Sequence, residues 1–204
     1  MSKLLLTSNG FFTEQIKKQF LQLIEGKFSN LKVSIITMAS PPKENNQYAR
    51  KAKEVFIQMG FHTIDFTDLE YDDPKTLRQY DVIYINGENP FYLLYHKKKS
   101  GCDRILKSLA NQNVIIVGVS AGAVILGPSI DIVNYFTPQI NTINLKDLTA
   151  LGLMDTYISP HYDREDLFPN NAEKTIEDRI VAFETLNKCT VVRVSDNQSI
   201  LFKT

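Results

Sequence analysis

The sequence has no tryptophan, only two cysteines and three histidines among its 204 residues, and no excess of either charge, with 23 Lys and Arg against 23 Asp and Glu. Each shortage removes a class of function. Cys102 and Cys189 lie far apart and outside any C-x-x-C or ligand cluster, so neither a disulfide framework nor a zinc site is expected, and both read as ordinary thiols. Zero net charge leaves no global field to attract nucleic acid or an anionic membrane. The one concentrated basic run, Lys97-Lys98-Lys99, reads as a solvated helix end. No apolar stretch approaches the roughly 18 residues that span a bilayer, and Met1-Ser2-Lys3-Leu4 carries no signal-peptide pattern. The expectation is a cytoplasmic globular protein, folded as a single domain over residues 1–204, with 43% hydrophobic and 23% charged side chains.

What is present centres on Val114-Ile115-Ile116-Val117-Gly118-Val119-Ser120-Ala121-Gly122-Ala123. The β-branched run reads as a strand buried on both faces of a parallel sheet. Gly118 to Gly122 matches G-x-S-x-G, in which a serine sits on a sharp strand-to-helix turn at the carboxyl edge of a sheet. A helix starting at Ala121 would aim its first free N–H groups at charge developing on a substrate carbonyl beside Ser120. The same string also suits a plain tight β-to-α turn; the strand in front of it favours a nucleophile.

Elsewhere, strands alternate with amphipathic helices. Strands are predicted at Lys3 to Ser8, Lys32 to Met38, His62 to Phe66 and Asp81 to Asn86. Helical stripes are formed by Phe12, Ile16, Phe20, Leu23 and Ile24, stopping near Gly26, and by Tyr48, Ala52, Val55, Phe56 and Met59 after the Pro41-Pro42 break. Further helices are predicted at Phe91 to Lys98 and Asp103 to Asn111. Five β-α repeats imply right-handed crossovers and an α/β fold with a doubly wound, mostly parallel sheet. Asp131 to Leu151 reads as loop with short elements. A strand over Thr156 to Ser159 ends at Pro160-His161, and a helix follows over Thr175 to Leu186, burying Ile176, Ile180, Val181 and Phe183. Val191 to Val194 and Ser199 to Phe202 flank Ser195-Asp196-Asn197-Gln198, which suggests a C-terminal β-hairpin.

Ligands on open α/β sheets bind at the carboxyl edge of the strands, which directs attention to the ends at Gly87, Ser120 and His161. Serine needs a base to become nucleophilic, and histidine is the usual one. His62 and His96 read as structural or surface residues, whereas His161 follows a strand and a proline in a loop over that edge. The backbone of Asn86-Gly87-Glu88-Asn89-Pro90 could join the Ala121 N–H in an oxyanion hole, or could be a turn before a proline-started helix.

Three motifs, Ile85-Asn86-Gly87-Glu88-Asn89-Pro90-Phe91, Gly118-Val119-Ser120-Ala121-Gly122-Ala123 and Ile158-Ser159-Pro160-His161-Tyr162, stand in the order and spacing of the peptidase E group of serine peptidases, relatives of cyanophycinase, and the chain resembles that group over nearly its whole length. The resemblance implies a fold like class I glutamine amidotransferases with serine in place of cysteine. It also implies hydrolysis of small peptides with an N-terminal aspartate, without metal or organic cofactor. In that pattern Ser120 is the nucleophile, His161 the base, and Gly87 or Glu88 with Ala121 the oxyanion hole. One position departs: where the family carries the carboxylate that orients the histidine, a gap-free reading puts Tyr135. Asp131 is the nearest carboxylate upstream, and Asp163 lies two residues past His161; either could be the third member, or an exposed loop acid. Asn89 and Arg164 are candidates for contacting the peptide, with Arg179 a further candidate cation for the aspartate. The expected partner is a small peptide, with a homodimer as the one protein assembly considered. Rival readings are an esterase or amidase using the same pair, and a binding protein that kept the fold and lost efficient catalysis, which the tyrosine motivates.

Overall fold

The structure is a computed structural model and describes residues 3–24, 28–37, 43–169 and 174–203. The apolar runs form strands where expected: β1 (Lys3–Thr7), β2 (Lys32–Ile36), β3 (Thr63–Thr67), β4 (Val82–Ile85) and β5 (Ile115–Val119). These five are parallel, and β8 (Ser199–Lys203) closes one edge antiparallel to β1, giving the order β3-β2-β4-β5-β1-β8. A separate two-stranded parallel ribbon pairs β6 (Tyr157–Pro160) with β7 (Val191–Val194).

Alternate side chains of each central strand enter two cores, the period-2 signature of a sheet covered on both faces. On one side Leu5, Val33, Ile35, Val82, Tyr84 and Val117 meet the apolar stripes of α1 (Glu14–Leu21) and α2 (Gln47–Gln58). There Phe20, Phe56 and Phe61 are fully buried, with ring centroids 5.3–6.0 Å apart. On the other side Leu4, Leu6, Ile83, Ile85 and Ile116 pack beneath α3 (Pro90–Ser100), α4 (Cys102–Ala110) and α7 (Ile176–Asn187). Helix starts are set by caps: Thr13, Asn46 and Asn89 accept first-turn N–H groups, and Thr175 forms a capping box with Asp178. The expected helix stop at Gly26 and the Pro41-Pro42 break lie outside the described residues.

Several expectations change. Val191 to Val194 and Ser199 to Phe202 do flank a turn, but they do not pair as a hairpin: β7 pairs with β6 and β8 with β1, so the turn bridges two sheets. Asp131 to Leu151 is, as expected, loop with short elements, namely α6 (Asp131–Phe136) and a 3-10 turn over Pro138–Ile140. Phe12 is 56% exposed and stands before α1 rather than in its buried stripe; Tyr48 and Val181 are likewise exposed on their helices.

The Lys97-Lys98-Lys99 run is not wholly a solvated end, because Lys97 is 1% exposed. Burial pushes its amine down to about 8, with Asp103 opposing the shift. The unfolded chain therefore binds more protons than the folded one between about pH 8 and 10.5, and stability should rise across that window. Below it, the charged buried amine costs on the order of 3 kcal/mol. Lys97→Met is expected to raise the denaturation midpoint at pH 7, with the gain shrinking by pH 10; urea melts at both pH values check it, and an equal gain at both would overturn the account.

Candidate active site

The main sheet delivers two loops, after β4 and β5, and the β6-β7 ribbon a third, to one place. β5 ends at Ser120, which sits at φ 50°, ψ −114°, a strained conformation for a residue with a side chain, before the short helix α5 (Ala121–Val124). The backbone clamps the turn: Ser120 N–H donates to the Thr7 carbonyl at 2.9 Å, and its own carbonyl accepts from Ala123 and Val124. Glycine is required at 122 because a Cβ there would lie 2.1 Å from the Ile85 carbonyl oxygen. The β4 loop comes as close, since a Cβ on Gly87 would stand 3.0 Å from that of Ser120. Ala121, opening α5, has a first-turn N–H without a preceding helical carbonyl. Gly87, Glu88 and Ala121 therefore converge beside the Ser120 hydroxyl.

His161 follows β6 with φ 57°. Its N–H donates to Ser8 Oγ at 3.0 Å, and that hydroxyl donates to the Val194 carbonyl at 2.7 Å, so Ser8 joins the ends of β1, β6 and β7. The imidazole bridges two partners: Nε2 lies 3.0 Å from Ser120 Oγ, and Nδ1 lies 2.6 Å from Asp196 Oδ1. A carboxylate only accepts, which puts the ring hydrogen on Nδ1 and leaves Nε2 free to accept from the serine.

Asp196, 8% exposed, is a residue the sequence reading did not select. It replaces Asp131 as the acid beside the ring. Asp131 instead opens α6, where it accepts a hydrogen bond from Ser129 Oγ at 2.6 Å. Asp163 does not touch the imidazole either, but accepts the Asp196 N–H at 2.9 Å and so holds the acid's turn. Tyr135, at the position expected for the acid, packs its ring on Phe136 and Phe183. The available signal was topological: parallel pairing of β6 with β7 sets their carboxyl-end loops side by side, and Asp196 follows β7 as His161 follows β6.

The substrate-contact candidates also move. Asn89 caps α3 and donates to the Ile140 carbonyl at 3.0 Å. Arg179 is buried, donates to the Phe136 and Phe168 carbonyls and lies over the Phe136 ring, a structural role. Arg164 does line the cavity, but its guanidinium clamps Asp166 through two bonds and reaches Asp196 Oδ2 at 3.2 Å. His62 is exposed, while His96 is buried between the Tyr92 and Tyr95 rings. Among the described residues no three His, Cys, Asp or Glu side chains are grouped to hold a metal. Burial pushes the Cys102 thiol up to about 12 and raises that of Cys189, so neither is an activated thiol.

Ser120 and His161 open on a cavity of about 400 Å³ whose polar lining includes Asn9, Tyr48, Lys51, Glu88 and Arg164. Lys51 has no ion-pair partner among the described residues. The Glu88 carboxylate accepts from Asn46 Nδ2. A hydroxyl on a strained turn, an acceptor ring nitrogen, a carboxylate on the ring's far nitrogen and the first-turn N–H of Ala121 are the groups needed to generate an alkoxide-like nucleophile and hold the oxyanion it creates.

No helix among the described residues is long and apolar enough to cross a membrane. The sequence is 32% identical to an uncharacterized peptidase of Pasteurella multocida over 156 residues, 74% of each chain. It is 28% identical to an uncharacterized peptidase of Listeria monocytogenes over all of this chain and 95% of the relative. A match to the peptidase E of Shewanella amazonensis, at 29% identity, covers 66% of this chain and 55% of that one. The fold superposes on the crystal structure of a candidate peptidase E protein from Listeria monocytogenes EGD-e with a TM-score of 0.76 and 25% identity, covering 99% of this chain and 94% of that one. All of the sheet but Lys3, and the loops that carry Gly87, Ser120 and His161, fall inside residues 4–204, the span over which the sequence matches peptidase family S51, and the chain belongs to that family of peptidases.

Proposed function

We propose that the protein is a serine peptidase that cleaves small peptides, dipeptides with an N-terminal aspartate among them, through an acyl-enzyme. The observation that carries this reading is the chain of contacts Ser120 Oγ to His161 Nε2 at 3.0 Å and His161 Nδ1 to Asp196 at 2.6 Å. Ser120 Oγ attacks the scissile carbonyl while its proton passes to His161 Nε2. The carbonyl oxygen, now anionic, is held by the N–H groups of Ala121 and of Gly87 or Glu88. Collapse breaks the C–N bond, and His161 returns the proton to the leaving amine. Water then attacks the ester with His161 again as base, releasing the acid and restoring Ser120. Asp196 orients the ring and stabilises its cationic form.

The carboxylate at the ring counts against the idle binding-protein reading. For an aspartate side chain, Lys51 is, among the described residues, the cavity cation left to receive it, since Arg164 is engaged by Asp166 and Asp196. The family match across nearly the whole chain supports one domain, and we propose that it works in the cytoplasm.

Intact-mass labelling with a fluorophosphonate tests the reading. The wild type should gain one adduct rapidly, with His161→Ala slowed by several powers of ten. A folded wild type that takes no label would remove the serine mechanism. A substrate panel turning over acyl esters but no peptide would favour the esterase alternative.

A further inference from the structure

The reactive pair stands on a ridge between two clefts of opposite character. On one side is the polar cavity with Lys51 and Glu88. On the other is a cleft of about 270 Å³ whose wall is built from Val124, Ile132, Val133, Phe136, Ile140 and Phe168. Glu88, Ser120, His161 and Leu167 line both. Among the described residues, and apart from the shared ridge, the second cleft is lined by no charged side chain.

We propose that this second cleft is the subsite for the residue that leaves, and that it selects peptides with an apolar side chain immediately after the scissile bond. The inference rests on the serine-peptidase reading and deepens it. A peptide whose carbonyl carbon sits on Ser120 extends away in two directions, and the ridge leaves one cleft for each. The terminal residue of an aspartyl peptide carries an α-ammonium and a carboxylate. Only the polar cavity holds charged groups of both signs, Lys51 for the carboxylate and the Glu88 carboxylate for the ammonium. The side chain of the leaving residue is thereby directed across the ridge, with the amide nitrogen toward His161, into the cleft walled by α5, α6 and the 3-10 turn. A charged side chain reaching past the shared ridge, beyond Glu88, into the apolar wall would lose water without gaining a partner there, whereas a leucine or phenylalanine would remove apolar surface on both partners from water.

The test compares Asp-Leu, Asp-Gly, Asp-Lys and Leu-Asp as substrates of the wild type and of Ile140→Asp, with fluorophosphonate labelling rate as the measure of an intact reactive pair. In the wild type, kcat/KM should favour Asp-Leu over Asp-Gly by roughly ten-fold or more, and over Asp-Lys by a larger factor. Ile140 is only half-buried on a 3-10 turn. Its replacement should collapse the leucine preference and lift Asp-Lys while labelling stays as fast as in the wild type. If Ile140→Asp fails to fold, Val133→Ala should narrow the preference in the same direction. Equal kcat/KM for Asp-Leu and Asp-Gly, faster cleavage of Leu-Asp, or a leucine preference that survives both variants would overturn the assignment while leaving the serine mechanism standing. Rapid labelling with no dipeptide cleaved would overturn the dipeptidase reading and this subsite with it.

Discussion

Ser120→Ala is expected to lower kcat by about a million-fold, to the level left by binding and oxyanion stabilisation alone, without unfolding the protein. The size follows from the unity of the relay. Once the hydroxyl is gone, His161 has no proton to take and Asp196 no imidazolium to stabilise, so the single loss costs about as much as removing all three groups. The fold should survive because the turn is held by backbone. The Ser120 N–H bond to the Thr7 carbonyl and the Ala123 and Val124 bonds to the Ser120 carbonyl do not involve the side chain, and the hydroxyl's side-chain partner among the described residues is His161 Nε2. Peptide turnover together with a thermal melt checks both halves. Turnover within a hundred-fold of wild type, in a protein that melts normally, would mean that another group attacks the carbonyl.

Asp196→Asn is expected to cost about four powers of ten in kcat, with Asp131→Asn leaving kcat within about two-fold. An asparagine amide can donate to Nδ1, and the ring then carries its hydrogen on Nε2. In that tautomer the nitrogen facing Ser120 donates where it should accept, so the base is disabled although every atom stays near its place. Arg164 keeps its two bonds to Asp166, and the Asp196 N–H keeps its bond to Asp163, so the turn should hold its shape. Asp131 bonds Ser129 at the start of α6, and its replacement disturbs a helix end and not the imidazole. Measuring kcat for the two variants side by side separates the assignments: a large loss in Asp131→Asn with a small one in Asp196→Asn would reverse them.

Much of this architecture is legible in one dimension because it rests on local physics. β-branched runs punctuated by glycine and proline specify the parallel strands, and the period of the apolar side chains identifies most buried helix faces. The elbow is legible for the same reason. Small residues at 118, 122 and 123 allow a strand to turn into a helix with a serine at the corner, and the close approach of Gly122 to the Ile85 carbonyl states the requirement in distance. His161 could be found because a strand followed by Pro-His places a titratable side chain at the edge where such sheets bind ligands.

The third member of the relay could not be found that way. Two apolar runs separated by Ser-Asp-Asn-Gln look like a hairpin, and local pattern does not distinguish strands that pair with each other from strands that part to separate sheets. Asp196 therefore reads as a turn residue. It becomes the partner of His161 only because β7 pairs in parallel with β6, which brings two loops 35 residues apart within 2.6 Å. Lys97 makes the same point: three successive lysines look solvated, yet a helix turns about 100° per residue, so one member of the run can face the core while its neighbours face water.

The residue sequence alone thus settles the β-α alternation, the strained serine turn and the histidine at a strand end, because each depends on neighbours within a few positions. Tertiary structure alone decides which acid stands against the ring, which cation in the cavity has no ion-pair partner among the described residues, and that the reactive pair lines both a polar cavity and an apolar cleft. These are contacts between segments distant in the chain, and they are set by which strands pair and which faces pack.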